Sequence, residues 1–167
     1  MARTHGVVQI HSAPSALCPH VEWAVGGVVG VPVHLDWTPQ PAQRAAYRAE
    51  YTWTGPVGTS AKLASALKGW QRLRFEVTEE ATPQSEAVRY SYTPALGVFH
   101  ATVGLHGDIM IDEERLKAAV TADALGRRSL HDAIADLLGT AWDNELEVFR
   151  QAAAGDGADV RWLHQVV

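Results

Sequence analysis

Two histidines and the single cysteine of the chain fall within one ten-residue stretch. His11 ends a predicted strand, and Cys18 and His20 stand at the start of the helix that follows. A thiol near a helix N-terminus can have a lowered pKa, and a neighbouring imidazole can act as its base or share a metal ion with it. The alternative is a small buried cysteine with two turn histidines. Because the four-ligand spacing of a zinc site is absent, we expect no metal and keep the three residues as a candidate reactive cluster.

A second candidate is a glycine-bearing loop that leads into a predicted helix. Gly58 and Thr59 precede the helix, and Lys62 lies in its first turn. Backbone N–H groups at a helix N-terminus attract anions, so these three residues form a candidate ligand site for a CoA or phosphopantetheine group. The Gly-Lys-Ser/Thr element of a P-loop is absent at the required spacing. The alternative is an ordinary turn with a solvated basic helix face.

Acidic and apolar residues near the C-terminus suggest a surface for a partner. Four acidic residues are spaced by four, seven and four positions along a predicted helix, which would place them on one face. They are Asp132, Asp136, Asp143 and Glu147. The segment that follows the helix carries Trp162 and Leu163. A solvated acidic face is the alternative, and docking to a basic or apolar partner is the functional interpretation.

The elements that would position these residues begin with a β-α-β-β-α-β series over residues 1–80. Alternating apolar residues, helix caps and glycine or proline breaks predict strands at 6–11, 33–37, 47–53 and 73–78 and helices at 19–29 and 60–68. This order is that of a ferredoxin-like core, an antiparallel sheet with two helices on one face. We therefore expect an α+β protein.

Residues 86–111 predict further strands that extend the antiparallel sheet. Two C-terminal helices are expected in 112–154, one from Asp112 to Gly126 and a long one from Ser129 to Ala154 with Gly139 inside it. Residues 155–167 form a tail. The whole chain, residues 1–167, is expected to be a single domain.

Composition excludes several classes of function. The chain has 167 residues, 47% of them apolar and 20% charged, with a net charge of −5. Globular composition and a net negative charge speak against a nucleic-acid partner, which needs a basic face. No run of about 20 apolar residues predicts a membrane span, so we expect a cytoplasmic protein. Common hydrolase, metalloprotease and dinucleotide motifs are also absent, and the residues indicate no cofactor.

Several strings of the chain are specific enough to carry a resemblance. They are Leu17–Ala24, Leu35–Pro41, Gly55–Thr59 and Arg74–Glu80. With them the chain resembles, over nearly its whole length, an actinobacterial family of uncharacterised proteins known as a domain of unknown function. The resemblance implies a cytosolic setting and brings no catalytic residue or cofactor. The resemblance also implies genes that often lie near fatty-acid synthesis genes, and through them a link to acyl-CoA or acyl-carrier chemistry.

Together these observations favour a non-catalytic accessory or regulatory subunit that acts by protein–protein interaction. An enzyme of fatty-acid or acyl-CoA metabolism is the candidate partner. The alternative is a binding module or small enzyme for an anionic ligand such as a CoA or phosphopantetheine group.

Overall fold

The computed structural model describes residues 2–155 of the chain. In this part the chain forms seven strands, β1 (Arg3–Pro14), β2 (Thr38–Pro39), β3 (Ala46–Pro56), β4 (Arg74–Glu79), β5 (Ala87–Thr93), β6 (Gly97–Val103) and β7 (Ile109–Met110). The helices of the same part are α1 (Cys18–Val29), α2 (Thr59–Leu67), α3 (Glu113–Ala124), α4 (Leu130–Leu138) and α5 (Thr140–Gly155).

The seven strands form one antiparallel sheet in the order β2-β3-β1-β4-β5-β6-β7. The long first strand is the third in this order, with β3 on one side and β4 on the other. Val8 is opposite Tyr51 of β3 and opposite Val77 of β4. The predicted α+β class and the extended antiparallel sheet are confirmed.

One face of the sheet carries the apolar core under α1 and α2. Alternation along the strands turns one set of side chains to this face, including Val8 and Ile10 of β1 and Phe75 of β4. They pack with Val21 of α1 and Leu63 of α2, and all five are at most 1% exposed. Full burial of such a side chain contributes about 1.5–3 kcal/mol, so this layer fixes the positions of both helices.

The opposite face of the sheet is covered by α5. Leu146, Phe149 and Ala153 are buried on the inner side of this helix, at the i, i+3 and i+7 spacing of one helix face. The central strands therefore have helices on both sides. Their alternate side chains, which a one-sided sheet would expose, are enclosed as well.

The strand predicted at residues 33–37 is wrong, because β2 comprises Thr38 and Pro39. A side chain of α1 binds this segment through one backbone N–H and one indole N–H. Glu22 Oε1 accepts from the backbone N–H of Leu35 at 2.9 Å and from the Trp37 indole N–H at 3.1 Å. This holds the segment after α1 against the helix instead of in the sheet.

The long C-terminal helix predicted between Ser129 and Ala154 is two helices, so the region contains three helices rather than two. Gly139 ends α4 in the left-handed conformation, with φ at +68°. An added Cβ at this residue would lie 2.6 Å from the ring of Phe99 on β6. Only glycine combines this backbone angle with so close an approach, and the break redirects α5 across the sheet.

Candidate functional site

A buried layer of polar side chains lies between the sheet and α5. Register places Gln9 of β1, Glu76 of β4 and Ser91 of β5 in one row across three neighbouring strands. All three side chains are buried, and Glu76 is fully so. Since side chains two residues apart share a face, His11 and Arg89 extend the same layer on β1 and β5.

Glu76 is the centre of this layer. Its Oε1 accepts from Arg150 Nε of α5 at 2.7 Å, and Arg150 Nη2 lies 2.5 Å from the same oxygen. His11 Nε2 lies 3.0 Å from Oε1 on the other side. One carboxylate oxygen of β4 thus contacts side chains of both β1 and α5.

Arg150 carries the network along α5. Its Nη2 lies 3.2 Å from Asp143 Oδ1, and its Nη1 donates to Glu147 Oε2 at 3.4 Å. The guanidinium therefore contacts three carboxylates. Burial on its own would lower the pKa of Arg150, but the charges of Glu76 and Asp143 and the hydrogen bonds to them raise it. These contacts stabilise the guanidinium in place, because a buried charge is tolerated only with its partners.

The pKa of Glu76 reflects the same contacts. Burial on its own would raise this pKa, but the hydrogen bond to His11 and the charges of Arg150, His11 and Arg89 outweigh burial. The result is a pKa of about 2, lowered from 4.5. Glu76 is therefore ionised throughout the physiological pH range, and it acts as an acceptor and counter-ion rather than as a proton donor.

His11 and Glu76 have the geometry of a base and its orienting carboxylate, but they are enclosed. Their side chains are 2% and 0% exposed. A general base must come within hydrogen-bond reach of the substrate proton, and in this structure α5 and the sheet cover the imidazole. The contacts clamp α5 to the sheet, and the arrangement supports a structural role.

The sequence of the chain matches a family model over residues 7–165, described as a protein of unknown function (DUF3145). The chain belongs to the DUF3145 family. The expected resemblance to a domain of unknown function is thereby confirmed. Neither the curated proteins nor the solved structures contain a match to this DUF3145 chain.

In the DUF3145 protein the three residues of the candidate reactive cluster have separate surroundings. His11 faces α5, whereas Cys18 belongs to the apolar core on the other face of the sheet. Cys18 Sγ lies 3.6 Å from the carbonyl oxygen of Pro14, and burial, then the charge of Glu22, raises the pKa of the thiol. His20 is exposed beside Trp70. Residues 2–155 contain no group of three or more His, Cys, Asp or Glu side chains able to hold a metal.

The helix start predicted to bind an anion already holds a carboxylate of the DUF3145 chain. Glu79, at the end of β4, accepts from Gly58 N–H at 3.0 Å and from Ser60 N–H at 3.0 Å. The Ser60 hydroxyl donates to Glu79 as well, at 2.9 Å. Thr59 turns its hydroxyl to the Pro56 carbonyl, and Lys62 is exposed. An external anion would have to displace Glu79 from the N–H groups it caps.

The predicted acidic stripe is divided between two helices. Asp132 and Asp136 lie on α4, where Asp136 pairs with Arg128. Asp143 and Glu147 lie on α5 and bind Arg150, as described above. The four residues therefore do not form one free acidic face, because the break at Gly139 separates the two pairs. Trp162 and Leu163 lie outside the described residues.

Sequence reasoning missed Glu76, Arg89, Arg150 and Glu79. Glu76 and Arg89 alternate with apolar residues in their strands, a pattern that predicts a solvent-facing side. One signal was present in α5. Arg150 lies four residues after Leu146 and one after Phe149, on the apolar stripe, where an arginine indicates a buried counter-ion.

Proposed function

We propose that this DUF3145 protein acts by binding another protein through the hairpin of α3 and α4. The observation that supports this proposal is the exposure of large apolar side chains on the hairpin. Five of them are between 37% and 58% exposed: Leu116, Val120, Leu125, Leu130 and Leu138.

Few side chains of the α3–α4 hairpin are buried against the rest of the protein. Among the described residues of α3 only Ala119 is buried, and among those of α4 only Ala133. Helices of this length owe most of their stability to tertiary packing of an apolar face. Leu116 and Val120 are four residues apart and so share one side of α3. A partner with an apolar surface would supply the packing that these side chains lack.

The attachment of the hairpin to the sheet through α5 favours a defined binding surface. α5 follows α4 directly and is held on the sheet by the Glu76–Arg150 pair, while the Trp142 indole N–H donates to the Gly97 carbonyl at 2.9 Å. The hairpin is thus anchored at its C-terminal end by contacts on β4 and β6. A pre-positioned surface loses less conformational freedom on binding than a flexible one.

The nature of the partner rests on the family resemblance. That resemblance implies genes near those of fatty-acid synthesis, and on this expectation we propose an enzyme of fatty-acid or acyl-CoA metabolism as the partner, in an actinobacterial cytoplasm. No helix within residues 2–155 has the length and apolar character needed to cross a bilayer.

We also assign the first part of the fold to a ferredoxin-like unit. The order β2-β3-β1-β4, with antiparallel neighbours and with α1 and α2 on one face, supports this assignment. In that unit β2 is reduced to two residues.

Binding of a CoA or phosphopantetheine group at Gly58, Thr59 and Lys62 ranks second. The exposed Lys62 beside a helix N-terminus favours it. The Glu79 carboxylate competes with it for the same N–H groups.

The test is purification of the tagged full chain from its native host, with mass spectrometry and light scattering. Val120→Asp places a charge on the exposed side of α3, and Val148→Asp, at a 58% exposed valine of α5, is the matched control. We expect one protein at equal stoichiometry with the wild type and the control, and at least tenfold less with Val120→Asp. Absence of such a protein, or its retention by all three forms, overturns the proposal. A dimer of this chain that Val120→Asp dissociates would overturn the assignment to a different protein.

A further inference from the structure

The outer edge of β3 is open along most of its length. The short strand β2 pairs with Tyr47 and Arg48, and no other strand within residues 2–155 pairs with that side of β3. The segment that precedes β2 binds Glu22 of α1, as described above, and does not extend this pairing. Residues 49–56 of β3 therefore have a strand neighbour on the β1 side alone within the described part of the chain.

Every second residue of β3 turns its backbone N–H and C=O away from β1. The Gln40 N–H donates to the Ala46 C=O at 2.8 Å, so the backbone groups of Ala46 lie on the outer side. Farther along, the His5 C=O accepts from the Glu80 N–H and so faces β4, and its register partner Thr54 faces outward on β3. Three residues of the open stretch thus direct their backbone groups outward and are also exposed: Glu50, Thr52 and Thr54.

The composition of this edge favours pairing with another strand. A row of outward backbone groups is a template for a further strand, and natural edges that avoid pairing carry proline, lysine or a bulge. Residues 49–55 contain neither proline nor lysine, and their register with β1 is regular. Glu50 is the one charged residue among them. The edge therefore lacks the features that would keep a second strand away.

The same edge of a second copy fits this strand when a two-fold axis passes through Thr52. Antiparallel pairing in that register exchanges backbone hydrogen bonds between the two Thr52 residues, and between Glu50 of each copy and Thr54 of the other. Each Glu50 carboxylate is then opposite a threonine, whereas an axis through Glu50 would place two like charges opposite each other. On the other face of the sheet, Tyr51 is opposite Trp53 of the second copy, which is a favourable aromatic pair.

We infer that this DUF3145 protein forms a two-fold symmetric dimer by antiparallel pairing of β3 with β3 of a second copy. The pairing continues the sheet of one chain into the sheet of the other. Two-fold dimers are the commonest symmetric assemblies of soluble proteins. The α3–α4 hairpin is not part of this interface, so the inference adds to the proposed function and does not depend on it.

The experiment is sedimentation equilibrium of the full chain at concentrations from about 1 to about 500 μM, where we expect a monomer–dimer equilibrium with a Kd on the order of 10 μM. Thr52→Pro removes the N–H at the centre of the interface. Proline is tolerated at an edge position whose N–H faces away from the sheet, so the pairing with β1 is kept, and the dimer should weaken by about tenfold or more. Thr52→Val keeps the N–H and is the matched control, which should dimerise as the wild type does.

Two lysine variants test the register, and they keep the inference falsifiable if Thr52→Pro fails to fold. Thr52→Lys places two like charges opposite each other and should weaken the dimer about threefold, whereas Thr54→Lys faces Glu50 of the second copy and should strengthen the dimer about threefold. Both variants add the same charge to the same face of β3. Equal effects of the two on the Kd would overturn the inferred pairing.

Amide hydrogen exchange reports on the outward N–H groups directly. The amides of Glu50, Thr52 and Thr54 should become more protected as the protein concentration rises. A monomer at all concentrations, a dimer that Thr52→Pro leaves intact, or protection that does not depend on concentration would overturn the inference. Val120→Asp, which tests the hairpin, should leave the dimer intact, and its dissociation by this variant would place the interface elsewhere and overturn the inference as well.

Discussion

Arg150 of α5 donates to the carboxylate of Glu76 on β4, the middle strand of the sheet, and neither residue is more than 6% exposed. Seventy-four positions of sequence separate the two. Their contact joins α5 to the sheet, so we expect substitutions at either residue to change the stability of the protein.

Arg150→Met is expected to destabilise the protein by about 3–5 kcal/mol, because the Glu76 charge would remain buried without its main counter-ion. Replacing both partners, in the double variant Glu76→Gln with Arg150→Met, should recover a large part of this loss. Urea unfolding of the variants measures both effects. Arg128→Met breaks the exposed Arg128–Asp136 pair and serves as control, with a change of about 0.5 kcal/mol or less. If Arg150→Met lowered the free energy of unfolding as little as Arg128→Met does, the Glu76–Arg150 pair would not hold α5 on the sheet.

Low pH should reduce the folding stability of the wild type more than that of a variant that lacks the Glu76 carboxylate. The pKa of Glu76 is lowered from 4.5 to about 2 in the folded protein. Its contribution to stability is therefore complete above pH 4.5 and is lost as the pH falls from there toward 2. Each tenfold change in proton affinity is worth about 1.4 kcal/mol, so the loss approaches about 3 kcal/mol.

The measurement is urea unfolding at several pH values for the wild type and Glu76→Gln. The variant should be less stable at neutral pH, and the difference between the two proteins should shrink below pH 4.5. A difference that stays constant down to pH 2.5 would show that Glu76 does not titrate in this way.

Glu79→Ala should destabilise the protein by about 1–3 kcal/mol, since the N-terminal N–H groups of α2 lose their buried acceptor. Glu80→Ala, next in the chain and exposed, should change stability by about 0.5 kcal/mol or less. Thermal unfolding with and without inorganic phosphate adds a second readout. Phosphate should stabilise Glu79→Ala more than the wild type, because the vacated N–H groups attract an anion. Equal stabilisation of both proteins would mean that Glu79 does not block the helix start.

Gly139→Ala should cost more stability than the same change at another left-handed glycine. Gly139 and Gly126 have φ values of +68° and +66°, but only at Gly139 would the new Cβ meet a neighbour, the Phe99 ring. The backbone angle alone costs about 1–2 kcal/mol, and the clash adds about 1–3 kcal/mol. Chemical denaturation of Gly139→Ala and Gly126→Ala separates the cost of the backbone angle from the cost of the clash. Equal losses would indicate that the Phe99 ring moves aside.

Local signals in the sequence determined most of the helices. Pro19 and Gly30 bound α1 as expected, and Asp112 and Ser129 cap α3 and α4 by accepting from Arg115 N–H and Asp132 N–H. The start and the end of a helix depend on residues only a few positions apart, so a short segment of the sequence is enough to predict them. The alternation of apolar residues likewise placed β4, β5 and β6.

Only the tertiary structure decided which polar residues are buried and what they bind. The alternation in β4 is the same whether Glu76 faces water or a helix, and the outcome depends on α5, far along the chain. Gly139 looked like a tolerated helix residue because its close contact, Phe99, lies forty positions away. Glu79 occupies a helix start that the local sequence predicts to be open to a ligand. Hydrogen bonds and charges act over a few ångströms in space, and the fold alone sets which distant residues come within that range.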